Sequence, residues 1–190
     1  MNWILASGSP RRRELLEMLG VPDLTIRPAT GPERATPGAG PEQTVRELSL
    51  HKAQEVAQTC APEDIIIAAD TIVYLDGAIL GKPKDHDDAV RMLTALSGRE
   101  HIVYTGVAVL RGAELRQAAE RTAVRFRALT PAEIERYIAT GEPMDKAGAY
   151  GIQGRGALFV AHLDGDYFNV MGLPLCRLGQ LLNELGVELL

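Results

Sequence analysis

Cysteines, aromatic residues and long apolar runs are all scarce in this chain. Its 2 cysteines, Cys60 and Cys176, are too few and too far apart for a disulfide framework or a zinc site. Aromatic residues make up 5% of the chain and do not cluster as they do on surfaces that stack nucleic-acid bases. No apolar run approaches the roughly 18 to 20 residues that a membrane-spanning helix needs. We therefore expect reduced thiols, no membrane span and no nucleic-acid partner.

Positive charge is also in short supply, because the formal net charge is −5 at pH 7. A nucleic-acid-binding surface is basic, so any cation that binds a ligand here must act locally. The 4 histidines lack the paired spacing of metal ligands, which leaves carboxylates as candidates. The N-terminal arginines follow the apolar residues, the reverse of the order in a secretory signal. With 190 residues, 46% of them hydrophobic, the sequence predicts one cytoplasmic, globular domain over 1-190.

The segment from Ile65 to Pro83 is the first candidate functional site. Its three isoleucines predict a strand that is buried on both faces and ends at Asp70. Two further apolar runs flank Asp-Gly at 76–77, the pattern of a β-hairpin with a type I′ turn. This hairpin would return Lys82 towards Asp70. Two interpretations are open: Asp70, Thr71 and Lys82 bind a metal and a phosphate, or Asp70 and Lys82 form a structural ion pair.

A second candidate site is the start of the first predicted helix. Ser9-Pro10 is a typical N-cap followed by a first helical position, and it comes after a short predicted strand over 2–7. The arginines at 11–13 oppose the partial positive charge of the helix N-terminus, which costs about 0.3 to 1 kcal/mol each. Free backbone N–H groups joined by guanidinium groups form a phosphate site. The arrangement therefore favours anion binding over three solvated arginines.

A loop and a long helix follow this site. The segment 28–41 is too rich in proline and glycine for regular structure, and Glu33 is its one acid. A helix is predicted from Pro41 to Gln58, and its spacing places Lys52 on the core-facing stripe. Lys52 then either snorkels to the edge of the core or points into a cleft and meets an anion. The sequence pattern leaves both alternatives open.

The rest of the chain is predicted to alternate strands and helices around a glycine-rich segment. Glycines at 148, 151, 154 and 156 surround Gln153, whose amide either reads the edge of a pyrimidine or faces water. We predict that backbone groups of Gly151, Gly154 and Gly156 fix the orientation of the amide. The other predicted elements are a helix opened by Asp85 and closed by Gly98, strands over 101–110 and 113–127, a helix capped by Thr130 and Glu133, short strands over 158–160 and 168–171, and a last helix from 174 to the C-terminus.

Five blocks of the sequence, taken together and in order, resemble the Maf family of nucleoside triphosphate pyrophosphatases. They are LASGSPRR at 5–12, AADT at 68–71, LGKP at 80–83, LSGREH at 96–101 and EPMDKAGAYGIQGRGALFV at 142–160. The resemblance covers nearly the whole chain. It implies an α/β fold like that of inosine triphosphate pyrophosphatases. Such a fold has a mixed, bent and extended sheet flanked by helices, with a nucleotide cleft between two lobes.

The resemblance also implies roles for individual residues. The catalytic set that it implies is Asp70 as acid or base, with Lys52 and Lys82. The implied substrate-binding set is Ser7, Arg11, Arg12, Thr71 and Gln153. Of these, Arg12, Thr71 and Gln153 match positions associated with base choice in the subfamily that resembles dTTP and UTP hydrolases. The implied metal ligands are Glu33 and Asp70, although relatives usually carry a more acidic run around Glu33 than this chain does.

The activity implied by the resemblance is hydrolysis of dTTP, UTP or modified pyrimidine triphosphates to the monophosphate and pyrophosphate. It depends on Mg²⁺ or Mn²⁺ and belongs to a house-cleaning enzyme, and a homodimer is implied in the same way. The family is also associated with inhibition of septum formation. The alternative is therefore a regulator of cell division that binds triphosphates with little turnover. Asp70 beside Lys52 and Lys82 favours the enzyme, because binding alone needs the cations but not the acid.

Overall fold

Seven β-strands and six α-helices make up the computed structural model, which describes all 190 residues. The strands are β1 (Trp3–Leu5), β2 (Leu24–Ile26), β3 (Ile65–Leu75), β4 (Ala78–Leu80), β5 (Glu100–Arg111), β6 (Glu114–Phe126) and β7 (Val160–Asp164). The helices are α1 (Pro10–Met18), α2 (Pro41–Ala57), α3 (His86–Leu96), α4 (Pro131–Ile138), α5 (Tyr167–Met171) and α6 (Leu175–Asn183). Three 3₁₀ segments lie at Glu142–Asp145, Ala147–Ala149 and Arg155–Phe159.

All seven strands form one mixed sheet, which confirms the predicted α/β class. The strand order is β2-β1-β3-β5-β6-β7, and β4 pairs with β3 off this path. Strand β1 pairs in parallel with both β2 and β3, whereas β4 pairs antiparallel with β3 and β7 antiparallel with β6. Helices flank the sheet, and none of them is both long enough and apolar enough to span a bilayer.

The chain divides into two compact units. The first unit comprises Met1–Asp70, Thr105–Glu120 and Gly172–Leu190. The second unit comprises Thr71–Tyr104 and Arg121–Met171. Strands β3, β5 and β6 each contribute residues to both units, so the chain passes between them within strands and not through a linker. The expectation of a single domain over 1-190 stays a prediction.

The first unit is built on the isoleucine run of β3. Ile65, Ile66 and Ile67 are at most 3% exposed, as expected for a strand covered on both faces. Helix α2 packs closely on β5, because a Cβ atom at Gly106 would collide with the carbonyl oxygen of Val45. Glycine at 106 therefore permits the close approach that holds α2, and the lysine it carries, against the sheet.

The second unit contains the predicted β-hairpin. Asp76 and Gly77 have φ values of 49° and 85°, which a type I′ turn requires at both central positions. The turn sets the register in which Val73 faces Leu80. The capped helices are confirmed as well: Asp85 accepts from the Asp88 N–H at the start of α3, and Thr130 forms a complete capping box with Glu133 at the start of α4.

Three predicted elements after residue 157 are wrong or misplaced. Residues 168–171 belong to helix α5, where the Asp166 side chain accepts from the Phe168 N–H and buried Asn169 donates to the Val103 carbonyl. The predicted strand over 158–160 begins only at Val160, after a 3₁₀ segment. Helix α6 ends at Asn183, before the C-terminus. Short apolar runs do not distinguish a strand from one turn of helix, since only tertiary partners decide between them.

Candidate active site

The first unit contains an ion-paired carboxylate on β3. Asp70 is 8% exposed, and its Oδ1 atom lies 2.5 Å from Lys52 Nζ. The same ammonium group lies 2.7 Å from Glu33 Oε1, so Lys52 joins two carboxylates. Helix α2 buries Ala53 and Val56 and presents Lys52 at the margin of this buried face. The lysine paired with Asp70 is therefore Lys52, and its anionic partners in the structure are the carboxylates of Asp70 and Glu33.

Asp70 lies inside β3, which corrects the prediction that it ends the strand. Residues Thr71 to Leu75 continue the strand, and Ile72 and Val73 within them are buried. The sequence pattern breaks at Asp70 because a buried carboxylate is unfavourable unless it is paired. The ion pair with Lys52 provides the compensation, so the strand does not need to stop. A position inside a strand also fixes the carboxylate rigidly.

Burial raises the pKa of the Asp70 carboxyl, and the charge and hydrogen bond of Lys52 offset this only in part. Arg12 lowers the pKa of Asp70 to a smaller extent, while the negative charge of Glu33 raises it. A buried carboxyl with a raised pKa and a specific cationic partner is a common feature of acid–base sites. The electrostatics therefore suit a group that accepts a proton.

Arg12 is tied into the first unit by hydrogen bonds. Its Nε atom donates to the Gly172 carbonyl oxygen at 2.7 Å, and its NH1 group donates to Ser7 Oγ at 3.0 Å. Burial lowers the pKa of the guanidinium to about 10, against the opposing effect of the Asp70 charge, so Arg12 stays protonated at neutral pH. The interpretation of Arg12 as merely solvated is therefore wrong, because the side chain is partly buried and positioned.

The start of α1 keeps the character of an anion site. Ser9 occupies the N-cap position, but its side chain makes no capping hydrogen bond, and the first turn contains no acidic residue. Arg13 is exposed and pairs with Glu17 at 2.7 Å, which makes it the solvated member of the three arginines. Arg11 and Arg12 are partly buried. Backbone N–H groups and two partly buried arginines thus share one helix terminus, a combination that suits a phosphate.

Three of the predicted site residues lie in the second unit: Thr71, Lys82 and Gln153. Thr71 is partly buried on β3, whereas Lys82 and Gln153 are exposed. The turn that carries Lys82 is fixed to the glycine-rich segment, because the Gly81 carbonyl accepts from the Gly148 N–H at 3.0 Å. A Cβ atom at Gly148 would lie 2.8 Å from Val73 Cγ2, so this contact requires glycine. The second unit therefore holds the Lys82 turn and the Gln153 segment together.

The glycine-rich segment is organised by Glu142, a residue that the sequence analysis did not single out. Its carboxylate accepts from the Arg155 N–H at 2.9 Å, the Gly156 N–H at 3.1 Å and the Tyr137 hydroxyl at 2.9 Å. The Tyr137 hydroxyl in turn accepts from the Gly151 N–H at 3.1 Å. Burial alone would raise the pKa of Glu142, but the hydrogen bonds from Arg155, Gly156 and Tyr137 outweigh it and lower the pKa.

This network corrects the prediction that the glycines orient the Gln153 amide. The N–H groups of Gly151 and Gly156 donate to Tyr137 and Glu142, and the exposed Gln153 side chain makes no hydrogen bond. A Cβ atom at Gly154 would collide with the Glu142 carboxylate, which explains the glycine there. The signal for Glu142 is present in the sequence as an acid next to a donor-rich glycine segment, but only the fold shows which donors it binds.

A buried histidine supports the residue that precedes Gly151. His101 is 1% exposed, and its Nε2 atom lies 2.8 Å from the Tyr150 hydroxyl. The Phe126 ring packs edge-to-face on both His101 and Tyr150, with centroid distances of 5.0 Å and 4.7 Å. Burial lowers the pKa of His101 to about 4, so the ring is neutral at physiological pH. The histidine is a core residue that anchors the start of the glycine-rich segment.

Comparison with known proteins places this architecture in a family. A sequence model described as Maf-like protein matches residues 2–185. The chain belongs to the Maf family. A relative from Moorella thermoacetica, named dTTP/UTP pyrophosphatase, is 54% identical over 188 residues, which cover 97% of this chain and 95% of the relative. A relative of the same name from Dictyoglomus turgidum is 49% identical and covers 98% of this chain and 97% of the relative.

The Maf chain also shares its fold with a solved structure of low sequence identity. A HAM1 protein from Coxiella burnetii aligns with a TM-score of 0.55 at 17% identity, covering 97% of this chain and 99% of that one. At this identity the similarity shows the fold alone. The shared fold extends over nearly the full length of both chains.

The residues around Lys52 fit a divalent cation of the kind expected for Maf proteins. Glu33 and Asp70 provide two carboxylates within reach of one ammonium group. Mg²⁺ prefers oxygen ligands and is commonly bound by one or two carboxylates, with phosphates and water completing its shell. No group of three or more acidic, histidine or cysteine side chains forms a closed metal cage in the structure. The donor set is therefore suited to a metal that arrives with a phosphate ligand.

Proposed function

We propose that this protein hydrolyses dTTP and UTP to the nucleoside monophosphate and pyrophosphate, with Asp70 as the catalytic acid or base. The single observation that carries the proposal is the buried carboxylate of Asp70, which is paired with Lys52. The same lysine also contacts Glu33. Relatives about half identical to this chain bear the name of this activity, which supports the substrate class. Modified pyrimidine triphosphates fall within the same proposal.

In the proposed reaction, cationic groups bind the triphosphate, which carries about four negative charges and needs neutralisation before a water molecule can attack. Arg11, Arg12 and the start of α1 bind phosphate oxygens, with Ser7 positioning the Arg12 guanidinium. Lys82 is proposed as a further cation for the triphosphate. Because its side chain is exposed and carries no ion pair within the second unit, Lys82 is available for a ligand.

Asp70 orients the attacking water and accepts its proton. A raised pKa brings the carboxylate closer to the operating pH, which favours proton transfer. Lys52 holds Asp70 and Glu33 in fixed positions through its two ion pairs. A divalent cation, Mg²⁺ or Mn²⁺, held by Glu33 and Asp70 would neutralise charge that develops on the leaving pyrophosphate.

Base choice is assigned in this proposal to Arg12, Thr71 and Gln153. The exposed amide of Gln153 offers a donor and an acceptor, which match the O4 and N3–H edge of uracil or thymine. Its own orientation is not fixed by the protein, but the segment that carries it is fixed through Glu142. Selectivity for uracil or thymine would then arise because the bound base itself supplies the hydrogen-bond partners of the Gln153 amide.

The regulator that binds triphosphates without turnover is the less favoured alternative. A carboxylate beside a phosphate site repels the ligand, so a protein that only binds would be better without Asp70. The relatives are also named for the enzymatic activity. Cytoplasmic location and a homodimer stay predictions.

A panel of nucleoside triphosphates with Mg²⁺ or Mn²⁺ tests the proposal. We expect UTP and dTTP to yield the monophosphate and pyrophosphate, and we expect the chelator EDTA to stop the reaction. Release of orthophosphate would show cleavage at a different phosphorus. Tight binding of UTP without any product would instead establish the regulator.

A further inference from the structure

The loop that carries Glu33 is held at both ends by two glutamates of α2. On one side of Glu33, the Glu55 carboxylate accepts from the Thr30 N–H at 2.7 Å and from the Gly31 N–H at 3.0 Å. On the other side, the Glu47 carboxylate accepts from the Thr36 N–H at 2.7 Å and from the Thr36 hydroxyl at 3.0 Å. Helix α2 therefore contacts the loop backbone before and after Glu33.

A third contact from the same helix reaches Glu33 itself. Lys52 lies between Glu47 and Glu55 in the sequence, and its Nζ atom is 2.7 Å from Glu33 Oε1. The Glu33 side chain is 63% exposed, so packing contributes little to its position. The loop has no helix or strand of its own, and its position depends on side chains that satisfy its backbone N–H groups.

The contact between Glu55 and the loop requires glycine at position 31. A Cβ atom there would lie 2.6 Å from Glu55 Oε2, closer than a side chain tolerates. The Gly31 N–H is also shared by both carboxylate oxygens of Glu55, at 3.1 Å and 3.0 Å. A residue with a side chain at 31 would push the Glu55 carboxylate away from the loop. The two positions therefore depend on each other.

The negative charges of Glu47 and Glu55 strengthen their hydrogen bonds to the loop. The Thr36 N–H, Gln43 and the Thr36 hydroxyl lower the pKa of Glu47, and the Thr30 and Gly31 N–H groups lower the pKa of Glu55. Both carboxylates therefore remain ionised at neutral pH. Hydrogen bonds that an ionised carboxylate accepts from backbone N–H groups are stronger than those between neutral partners.

We propose that Glu47 and Glu55 are positioning residues that hold the 28–40 loop so that Glu33 meets Lys52 and the metal-bearing triphosphate. They do not touch the substrate, and they act through the loop backbone. The inference rests on the proposed role of Glu33 as a metal ligand. It adds that this ligand is placed by two acids outside the site, both of them on the helix that carries Lys52.

The test compares the Glu47→Ala and Glu55→Ala variants and their double variant with wild type. Glu42→Gln is the matched control, because Glu42 is an exposed acid of the same helix whose ion-pair partner is Arg46. Glu55→Gln keeps one acceptor oxygen and should restore part of any loss.

The first readout is trypsin cleavage after Arg34, an exposed residue inside the loop. We expect the double variant to be cleaved at least about tenfold faster, because lost charged hydrogen bonds raise the population of the open loop.

The second readout is Mn²⁺ binding, measured by electron paramagnetic resonance with a UTP analogue that cannot be hydrolysed. We expect the double variant to need about tenfold more Mn²⁺ for half saturation, and we expect the same of Glu33→Gln. The melting temperature of the double variant should be unchanged. Faster cleavage with unaltered Mn²⁺ binding would overturn the positioning role, and so would unaltered cleavage. Because neither readout uses turnover, failure of wild type to release pyrophosphate would count against the proposed function and not against this inference.

Discussion

Around Asp70 the first unit uses charged side chains that face one another, whereas the glycine-rich segment of the second unit uses backbone N–H groups that converge on one carboxylate. Lys52 joins Asp70 and Glu33 at 2.5 Å and 2.7 Å. Glu142 instead accepts from the N–H groups of Arg155 and Gly156. One region concentrates charge on side chains, and the other fixes the path of the backbone.

The difference has a physical basis in what each region is proposed to do. Acid–base chemistry needs a proton acceptor with a perturbed pKa, and burial gives this to Asp70 because Lys52 and Arg12 offset it only in part. Reading a base needs a neutral amide at a fixed place, and a rigid backbone provides it without adding charge near the ligand. We therefore expect changes at Asp70, Lys52 or Glu33 to alter the rate for every substrate. Changes in the second region should alter the preference among substrates.

The largest expected effect comes from Asp70→Asn. The amide keeps the shape of the side chain and loses the charge, so kcat should fall by at least about 10²-fold. The melting temperature should change little, because Lys52 keeps Glu33 as a partner and the amide avoids the burial of a charge. Steady-state kinetics and thermal unfolding measure both quantities. Near-normal turnover by the folded variant would remove Asp70 from the chemistry.

The next effect is a loss of stability in acid that originates in the second unit. The pKa of folded His101 is lowered from 6.5 to about 4, so the unfolded chain binds a proton more readily over this interval. Stability should therefore fall as the pH drops from 6.5 towards 4, by about 3 kcal/mol in total from this residue. Urea unfolding at a series of pH values measures the slope.

The His101→Gln variant isolates this contribution from that of the carboxylates. It should flatten the dependence between pH 6.5 and 4, whatever its stability at neutral pH. The matched control is His162→Gln, which removes an exposed histidine by the same substitution. An equal slope in wild type and His101→Gln would show that the buried ring does not cause the acid sensitivity.

A smaller effect is expected from Glu142→Gln. The amide retains one acceptor oxygen but cannot receive both the Arg155 and Gly156 N–H groups as an ionised carboxylate does. The free energy of unfolding should fall by roughly 1 to 3 kcal/mol. The ratio of kcat/KM for UTP over CTP should fall as well, since Gln153 loses its fixed support. A destabilised protein with an unchanged ratio would make Glu142 purely structural.

Much of this architecture could be predicted from the sequence, where local chemistry was sufficient. The isoleucine run predicted β3, Asp-Gly predicted the hairpin turn, and Thr130 with Glu133 predicted the start of α4. The position of Lys52 on the core-facing stripe of its helix followed from spacing alone. These features depend on residues close together in the chain, so periodicity and capping rules capture them.

Other features depend on partners far apart in the chain and could not be predicted in this way. Asp70 continues a strand because Lys52 neutralises it, and α5 is helical because Asn169 binds the Val103 carbonyl and Thr122. Glu142 holds the glycine-rich segment by accepting from backbone N–H groups. The sequence does not identify which N–H groups these are. The resemblance to the Maf family supplied the proposed site residues, whereas the structure supplied the residues that hold the segments around them.

The most direct test of the separation between the two regions measures kcat/KM for UTP and CTP with wild type, Asp70→Asn and Gln153→Ala. The account predicts that Asp70→Asn lowers both values by a similar factor and leaves their ratio unchanged. It predicts that Gln153→Ala reduces the value for UTP about tenfold more than the value for CTP, because a matched polar edge is lost. Wild type that hydrolyses CTP as well as UTP, or a Gln153→Ala variant that slows both equally, would contradict it.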